Sequence, residues 1–462
     1  MTEKEKVIQE KSKEKKKIRI NKLAIFNVVS ILFILAFIIN YSVRFFYFKN
    51  QQTTGSHLSD ILSERLILTL NPMLFERNGV YYYEGDVNNN YVQFMGYMWQ
   101  VMKINDDGST TMIMKEPITA FSFGSGDNWT ETHIHHWLNY DKDILFSGVF
   151  ENTLDTSFLT YTTTCIDIID SIDNITCNEK ESNSLITLPT LYDYYSSGGH
   201  NGFLNNDESF WTISSTEDNH YWFVSEDSAV SIAAKNEMYN LRPVITLVPE
   251  TNVFGGNGEL DTPYIVKKRN VSLTKHLFVG EFVEYNDLIW RIIRNDNDSI
   301  TLALNDCLKD DEDNCMIVPF SATDNLFVTS NRDNLLSYLN SEFFNSLDNS
   351  DFIITGTFNS GYYSAAVPNF INVFSKTNQA NVGLLSIADP FAFSIPNVFL
   401  LNTLENHEFS IFTVNQNNLL FQEQVWSEHY IRPVITLRSN ISITGGLGRI
   451  YSPYQLGGVT ND

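Results

Sequence analysis

The sequence predicts one N-terminal membrane-spanning helix followed by two copies of a single acidic domain that mixes strands with short helices. Three observations carry this expectation: an apolar run bounded by lysines, a charge balance that reverses after it, and an internal repeat at a near-constant offset. A length of 462 residues exceeds one ordinary compact domain and suits two. Hydrophobic residues make up 43%, with 33 Phe and 22 Tyr, which is ample for cores and too much for a disordered chain.

The anchor comes first. Leu23–Ile39 is apolar except for Asn27 and Ser30. Continued through Tyr41–Val43, the run reaches about 21 residues, or about 30 Å of helix, the thickness of a bilayer's hydrocarbon core. Nine Lys/Arg lie within residues 1–22, and only Arg44 and Lys49 follow closely. That bias holds the N-terminus in the cytoplasm and sends the body outside. The residues after the run are bulky and aromatic (Tyr41, Phe45, Phe46, Tyr47, Phe48), so an uncleaved signal anchor with an interfacial belt is expected rather than a cleaved signal peptide. The expected organisation is a basic cytoplasmic tail (1–22), the anchor (23–46), a stalk (47–76), a first repeat (77–268), a second repeat (269–457) and a C-terminal tail (458–462).

The net charge of −24 is unevenly spread: residues 1–49 hold 11 Lys+Arg against 4 Asp+Glu, leaving 20 against 51 in the remainder. So acidic a body repels phosphates and anionic lipid, which excludes nucleic acid as a partner, and it tolerates cations. Cys165 and Cys177 are 12 apart in sequence, and Cys307 and Cys315 are 8 apart. Of the three connectivities open to four cysteines, local pairing is the most economical, each bridge stapling a polar loop. C-x-x-C and His/Cys clusters are absent, so metal and redox roles for these cysteines lack support.

The repeat organises the body. Arg242–Leu247 (RPVITL) recurs identically as Arg432–Leu437, and Gly255–Val266 recurs as Gly445–Leu456, both offset by 190. Trp99 and Trp290 are offset by 191. Around each Trp, apolar and polar residues alternate, pass Asn105–Gly108 or Asn295–Asp298, and alternate again, which is the pattern of a β-hairpin. Each PVITL run reads as a buried strand with its Pro at the start. Each GGxG stretch reads as a tight turn into a closing strand. One helix is expected per copy. Thr132 caps a face of Ile134, Trp137 and Leu138, and Ser330 or Asn331 precedes Leu335, Leu339 and Phe343. His133, His135 and His136 read as a solvated helix face, since they do not converge.

With these elements in place, each copy resembles a bacterial surface domain of unknown function that runs Trp-hairpin, WLN helix, LLS strand, WxxS, RPVxxL and a closing glycine turn. Copy one supplies Trp99, Trp137–Asn139, Leu185–Leu188, Trp211–Ser214, Arg242–Val244 and Gly255–Tyr264. Copy two supplies Trp290, Tyr338–Asn340, Leu384–Ser386, Arg432–Val434 and Gly445–Tyr454, and departs at WxxS, where Leu401–Leu404 stands. That domain is in turn similar to the C-type-lectin-like fold shared with formylglycine-generating enzymes. The resemblance implies an α+β class: two tandem lectin-like domains of twisted antiparallel sheet with few helices and long loops. No cysteine follows Cys177 in copy one or Cys315 in copy two, and the EPN, QPD and WND tripeptides of calcium-dependent lectins do not occur. The oxidase activity of that superfold is therefore not expected here, and fold analogy leaves recognition as the suggestion.

No catalytic elbow, zinc helix or phosphate-cradling loop occurs. Two polar loops before a strand are the candidate ligand-binding residues: Glu217, Asp218 and His220 with Trp222 in copy one, and Asn406 and His407 in copy two. Aromatic rings stack on sugar faces, and Asp and Asn accept hydroxyl hydrogen bonds. In the acidic loop between Cys307 and Cys315, Asp310, Asp311 and Asp313 could hold Ca²⁺ only if the bridge folds the loop back; a solvated loop is the plainer reading. The expected protein is a membrane-anchored extracellular binding or adhesion protein that recognises a glycan or surface protein. A structural component of the cell envelope is the alternative, and an envelope-polymer enzyme comes third.

Overall fold

In the computed structural model, which describes residues 55–460 except 69–72, 78, 125, 127, 140–148, 151–153, 268–269, 330–332 and 364–369, the two Trp-centred stretches form antiparallel hairpins. Tyr97–Ile104 pairs with Thr110–Met114, and Leu288–Asn295 pairs with Ser299–Leu304. The RPVITL runs come next: Val244–Leu247 lies against Thr110–Met114, and Pro433–Arg438 against Ser299–Leu304. On the other side of each hairpin a short strand, Tyr91–Phe94 or Phe282–Tyr285, pairs antiparallel. The closing strand, Tyr264–Ile265 or Tyr454–Val459, then joins that strand in parallel.

The same hydrogen bonds recur in both halves. Trp99 Nε1 donates to Phe94 O at 3.1 Å, and Trp290 Nε1 to Tyr285 O at 3.0 Å. Thr111 and Thr246 hydroxyls meet at 3.0 Å, and Thr301 and Thr436 at 3.3 Å. Arg242 and Arg432 are fully buried, each donating from Nε to the carbonyl that ends the hairpin, Met114 or Leu304. Burial pulls their guanidinium groups down to about 10 and about 9 respectively.

A second layer holds the strands 119–121, 210–215, 220–224, 230–234 and 239–241 in one sheet. In the second half, Ser410–Val414 pairs with Leu420–Gln424 and Ile317–Pro319 with Glu428–Tyr430, joined by bridges at Val398 and Phe399.

The expected class, α+β behind a membrane-spanning helix, is corrected. Strands take up 39% and helices 13%, and no helix among the described residues is long and apolar enough to cross a membrane. The tail and anchor, residues 1–46, lie outside the described residues. The amphipathic stretches form the helix His133–Leu138 and the run Leu335–Tyr338, which continues through a π turn (Leu339–Phe343) into Phe344–Ser346. An Asn anchors each, Asn139 just after the first helix and Asn340 within the π turn of the second. Asn139 donates to His135 O and Ile186 O and accepts from Ile186 N; Asn340 does the same with Leu336 O, Val382 O and Val382 N. Each Asn therefore ties its helix to a strand. Thr132 caps the first helix as expected, whereas the second is capped by Asn334, which accepts from Leu336 N.

Part of the expected stalk is docked. Leu58–Leu68 is a helix whose Leu58 and Leu62 are buried, and Leu58 N donates to Thr251 O at 2.8 Å. Residues Thr54–Asp462 cluster as one compact unit. The repeats meet at Gly96 and Gly280, both with positive φ; an added Cβ would strike Val279 O from Gly96 and crowd Gly96 O and the Tyr97 ring from Gly280.

Candidate functional site

In the first repeat, the polar loop turns at Asn219 (φ 57) between strands Phe210–Ser215 and His220–Val224. Glu217 N donates to Asp170, and His220 Nδ1 lies 3.2 Å from Asp218 O. Glu217 and Asp218 are exposed, but Trp222 is buried, its indole donating to Ile169 O at 2.7 Å. Trp222 is a core residue with its polar edge satisfied, so this loop presents no aromatic face from that position.

The second repeat differs. Its loop turns at Asn406 (φ 60) and is pinned by Asn325, whose amide donates to His407 O at 2.6 Å and to Ser410 O at 2.8 Å. Asn406 and His407 line a shallow hollow of ≈ 430 Å³ with Phe409, Gln422 and Gln424. Phe409 is 53% exposed and Trp426 54%, with ring centroids 6.2 Å apart. Two large aromatics exposed side by side make an apolar patch, which is more informative than a single exposed ring. The repeat itself carries the signal that sequence reasoning missed: at the offset of 190, Phe409 and Trp426 stand where the first copy has Asn219 and Asn236.

Both disulfides are present, Cys165–Cys177 and Cys307–Cys315, with Cα separations of 5.1 and 5.5 Å. The acidic loop does not gather its carboxylates. Asp310 accepts from Glu312 N and Asn314 N at 2.9 Å each, an Asx-type turn, while Asp311 and Asp313 project elsewhere as exposed groups. The one tight group of metal-type atoms among the described residues, Asp306, Cys307 and Cys315, has both sulfurs locked in the disulfide and Asp306 paired with Lys309 at 3.2 Å. Those sulfurs cannot serve as thiolate ligands. The histidines of the first helix are half-buried, with His135 Nε2 at 3.1 Å from Ser184 Oγ.

A further cleft, of ≈ 310 Å³, lies between the repeats. Arg291 of the second repeat pairs across it with Glu116 of the first at 3.1 Å. Arg449 donates to Asp261 O at 2.6 Å and to Gln93 Oε1 at 3.0 Å. The Arg291 guanidinium holds the Glu116 carboxyl below its ordinary value, whereas burial pushes the nearby Glu208 up. Phe391, in the left-handed region at φ 63, donates its N–H to Ile118 O across the junction and accepts from Arg432 Nη1 through its carbonyl. No motif marked this cleft in the sequence, because its residues come from six separate stretches of the chain.

No protein-family model, curated protein or solved structure matches this chain.

Proposed function

We propose that this is an exported, non-enzymatic binding protein that holds a glycan of the cell surface on its second repeat. The observation that carries the reading is the exposed Phe409–Trp426 pair beside the pinned loop Asn406–Glu408 and the amides of Gln422 and Gln424. Sugar rings offer one apolar face and a rim of hydroxyls. Stacking on aromatics with hydrogen bonds from nearby amides suits both, and a loop fixed beforehand loses little entropy on binding. Two disulfides in a chain with no free cysteine support an oxidising, extracellular setting. The test is retention of the chain on isolated bacterial envelope polysaccharide and on a glycan array. Retention by the wild-type chain, lost in Trp426→Ala, supports the reading; equal retention of wild type and variant removes the proposed site.

A further inference from the structure

We propose that the cleft between the repeats binds a small carboxylate with a flat apolar body, whose carboxylate docks on Arg291 in place of Glu116. This is independent of the glycan reading, which concerns a different surface. The Arg291 guanidinium lies over the Phe391 ring, 3.5 Å from its centroid, with Phe282 at 5.2 Å. The Arg291 side chain is 11% exposed, and a single Nη2 bond of 3.1 Å joins it to Glu116, whose side chain is 55% exposed. Arg291 Nε is buried and makes no hydrogen bond among the described residues. A guanidinium fork presents parallel donors that match both oxygens of a carboxylate. Here the fork is stacked and oriented but only half used, by a side chain that can swing into water at little cost.

The surroundings select the ligand. Lys115, Arg291 and Arg449 line the cleft against Glu116 and Asp261, an excess of one positive charge. The body that surrounds it has 20 basic residues against 51 acidic, so the cleft is a local positive spot in a negative field and attracts small anions. Tyr97, Met98, Met114, Phe282, Ile450 and Tyr451 supply flat and apolar walls. A volume of ≈ 310 Å³ suits one ring with a short carboxylate arm, at the lower end of ordinary ligand pockets. On the far side of the Arg291–Glu116 bridge a second chamber of ≈ 380 Å³ contains Glu208, which opposes an anion, so the ligand occupies the first chamber. The feature is specific to the second repeat, since Gln100 stands at the position of Arg291 in the first.

The experiment is calorimetric titration of the full chain with N-acetyltyrosine and, in parallel, with its uncharged amide. The acid is expected to bind at least about tenfold tighter than the amide, the equivalent of one charge-assisted contact. Glu116→Gln removes the internal competitor and should tighten the acid by roughly three- to tenfold while leaving the amide unchanged. Arg291→Gln should abolish the difference. Arg291 also joins the repeats, so if that variant fails to fold, Glu116→Gln decides, because it alters an exposed rim residue. Equal binding of acid and amide, or weaker binding of the acid by Glu116→Gln, overturns the carboxylate assignment. Binding of neither probe overturns the site altogether.

Discussion

Replacing Asp193 by Ala should be among the most damaging single changes in this protein. Asp193 Oδ1 lies 2.8 Å from Lys103 Nζ, with side-chain exposures of 5% and 8%. Its other oxygen accepts from Thr190 N at 3.1 Å and Thr190 Oγ1 at 2.8 Å, completing a capping box for the helix Leu191–Ser196. The variant strands a buried ammonium, at about 3–5 kcal/mol, and loses the cap, at about 1 kcal/mol. The total is about 4–6 kcal/mol, a large share of an ordinary folding free energy. The second repeat supplies the control. Asp389 holds the same place at an offset of 196 and accepts from Ser386 N at 2.7 Å. Its cation, Arg294, is 34% exposed and pairs instead with Asp296 at 3.4 Å. Asp389→Ala strands no buried charge and should cost about 1–2 kcal/mol. Urea unfolding followed by tryptophan fluorescence at pH 7 measures both. The double change Lys103→Met with Asp193→Leu should recover most of the loss. Equal costs at the two aspartates, or no recovery in the double variant, would contradict this reasoning. The Lys103 pKa is raised, the Asp193 carboxylate overcoming the effect of burial. The pair's contribution is therefore complete below the ordinary lysine value of 10.5 and fades as pH rises through the folded value.

Three further outcomes can be checked. Asn402, fully buried, accepts from Ile387 N at 2.7 Å and donates to Gly361 O at 2.9 Å; Asn402→Ala should cost about 2–3 kcal/mol in urea titrations. Reduction should release four thiols from a chain that shows none beforehand, and each lost bridge should lower stability by about 2–3 kcal/mol for loops this short. Because Arg291 depresses the Glu116 pKa, that carboxylate contributes stability above its ordinary value of 4.5, and the contribution is lost as pH falls through the folded value. Glu116→Gln should therefore flatten the acid limb of a stability–pH curve below pH 4.5.

The repeat was legible in the sequence because it is written in hydrogen-bonding residues as well as apolar ones. Trp99 and Trp290, Thr111 and Thr301, Arg242 and Arg432 keep their partners in both halves. The departure at WxxS also has a structural sense: Ser214 accepts from Leu191 N in the first repeat, and Asn402 accepts from Ile387 N in the second. A 3–4 spacing of apolar residues cannot reveal that Asn139 and Asn340 turn their side chains to neighbouring strands. Which copy presents aromatics beside its polar loop depends on burial. Trp222 is a core residue and Trp426 a surface one, and sequence alone does not say which Trp is covered. The cleft was invisible because Glu116, Arg291 and Arg449 meet only after the repeats pack.

The most direct test of the account is the asymmetry between the repeats. Retention on envelope polysaccharide should be compared for three chains: the wild type, Phe409→Ala with Trp426→Ala, and Glu217→Ala with His220→Ala. The account predicts that the second-repeat pair loses retention by tenfold or more, roughly the loss of one stacked ring, while the first-repeat pair matches the wild type. Loss only in the Glu217/His220 variant, or none in either, would contradict it.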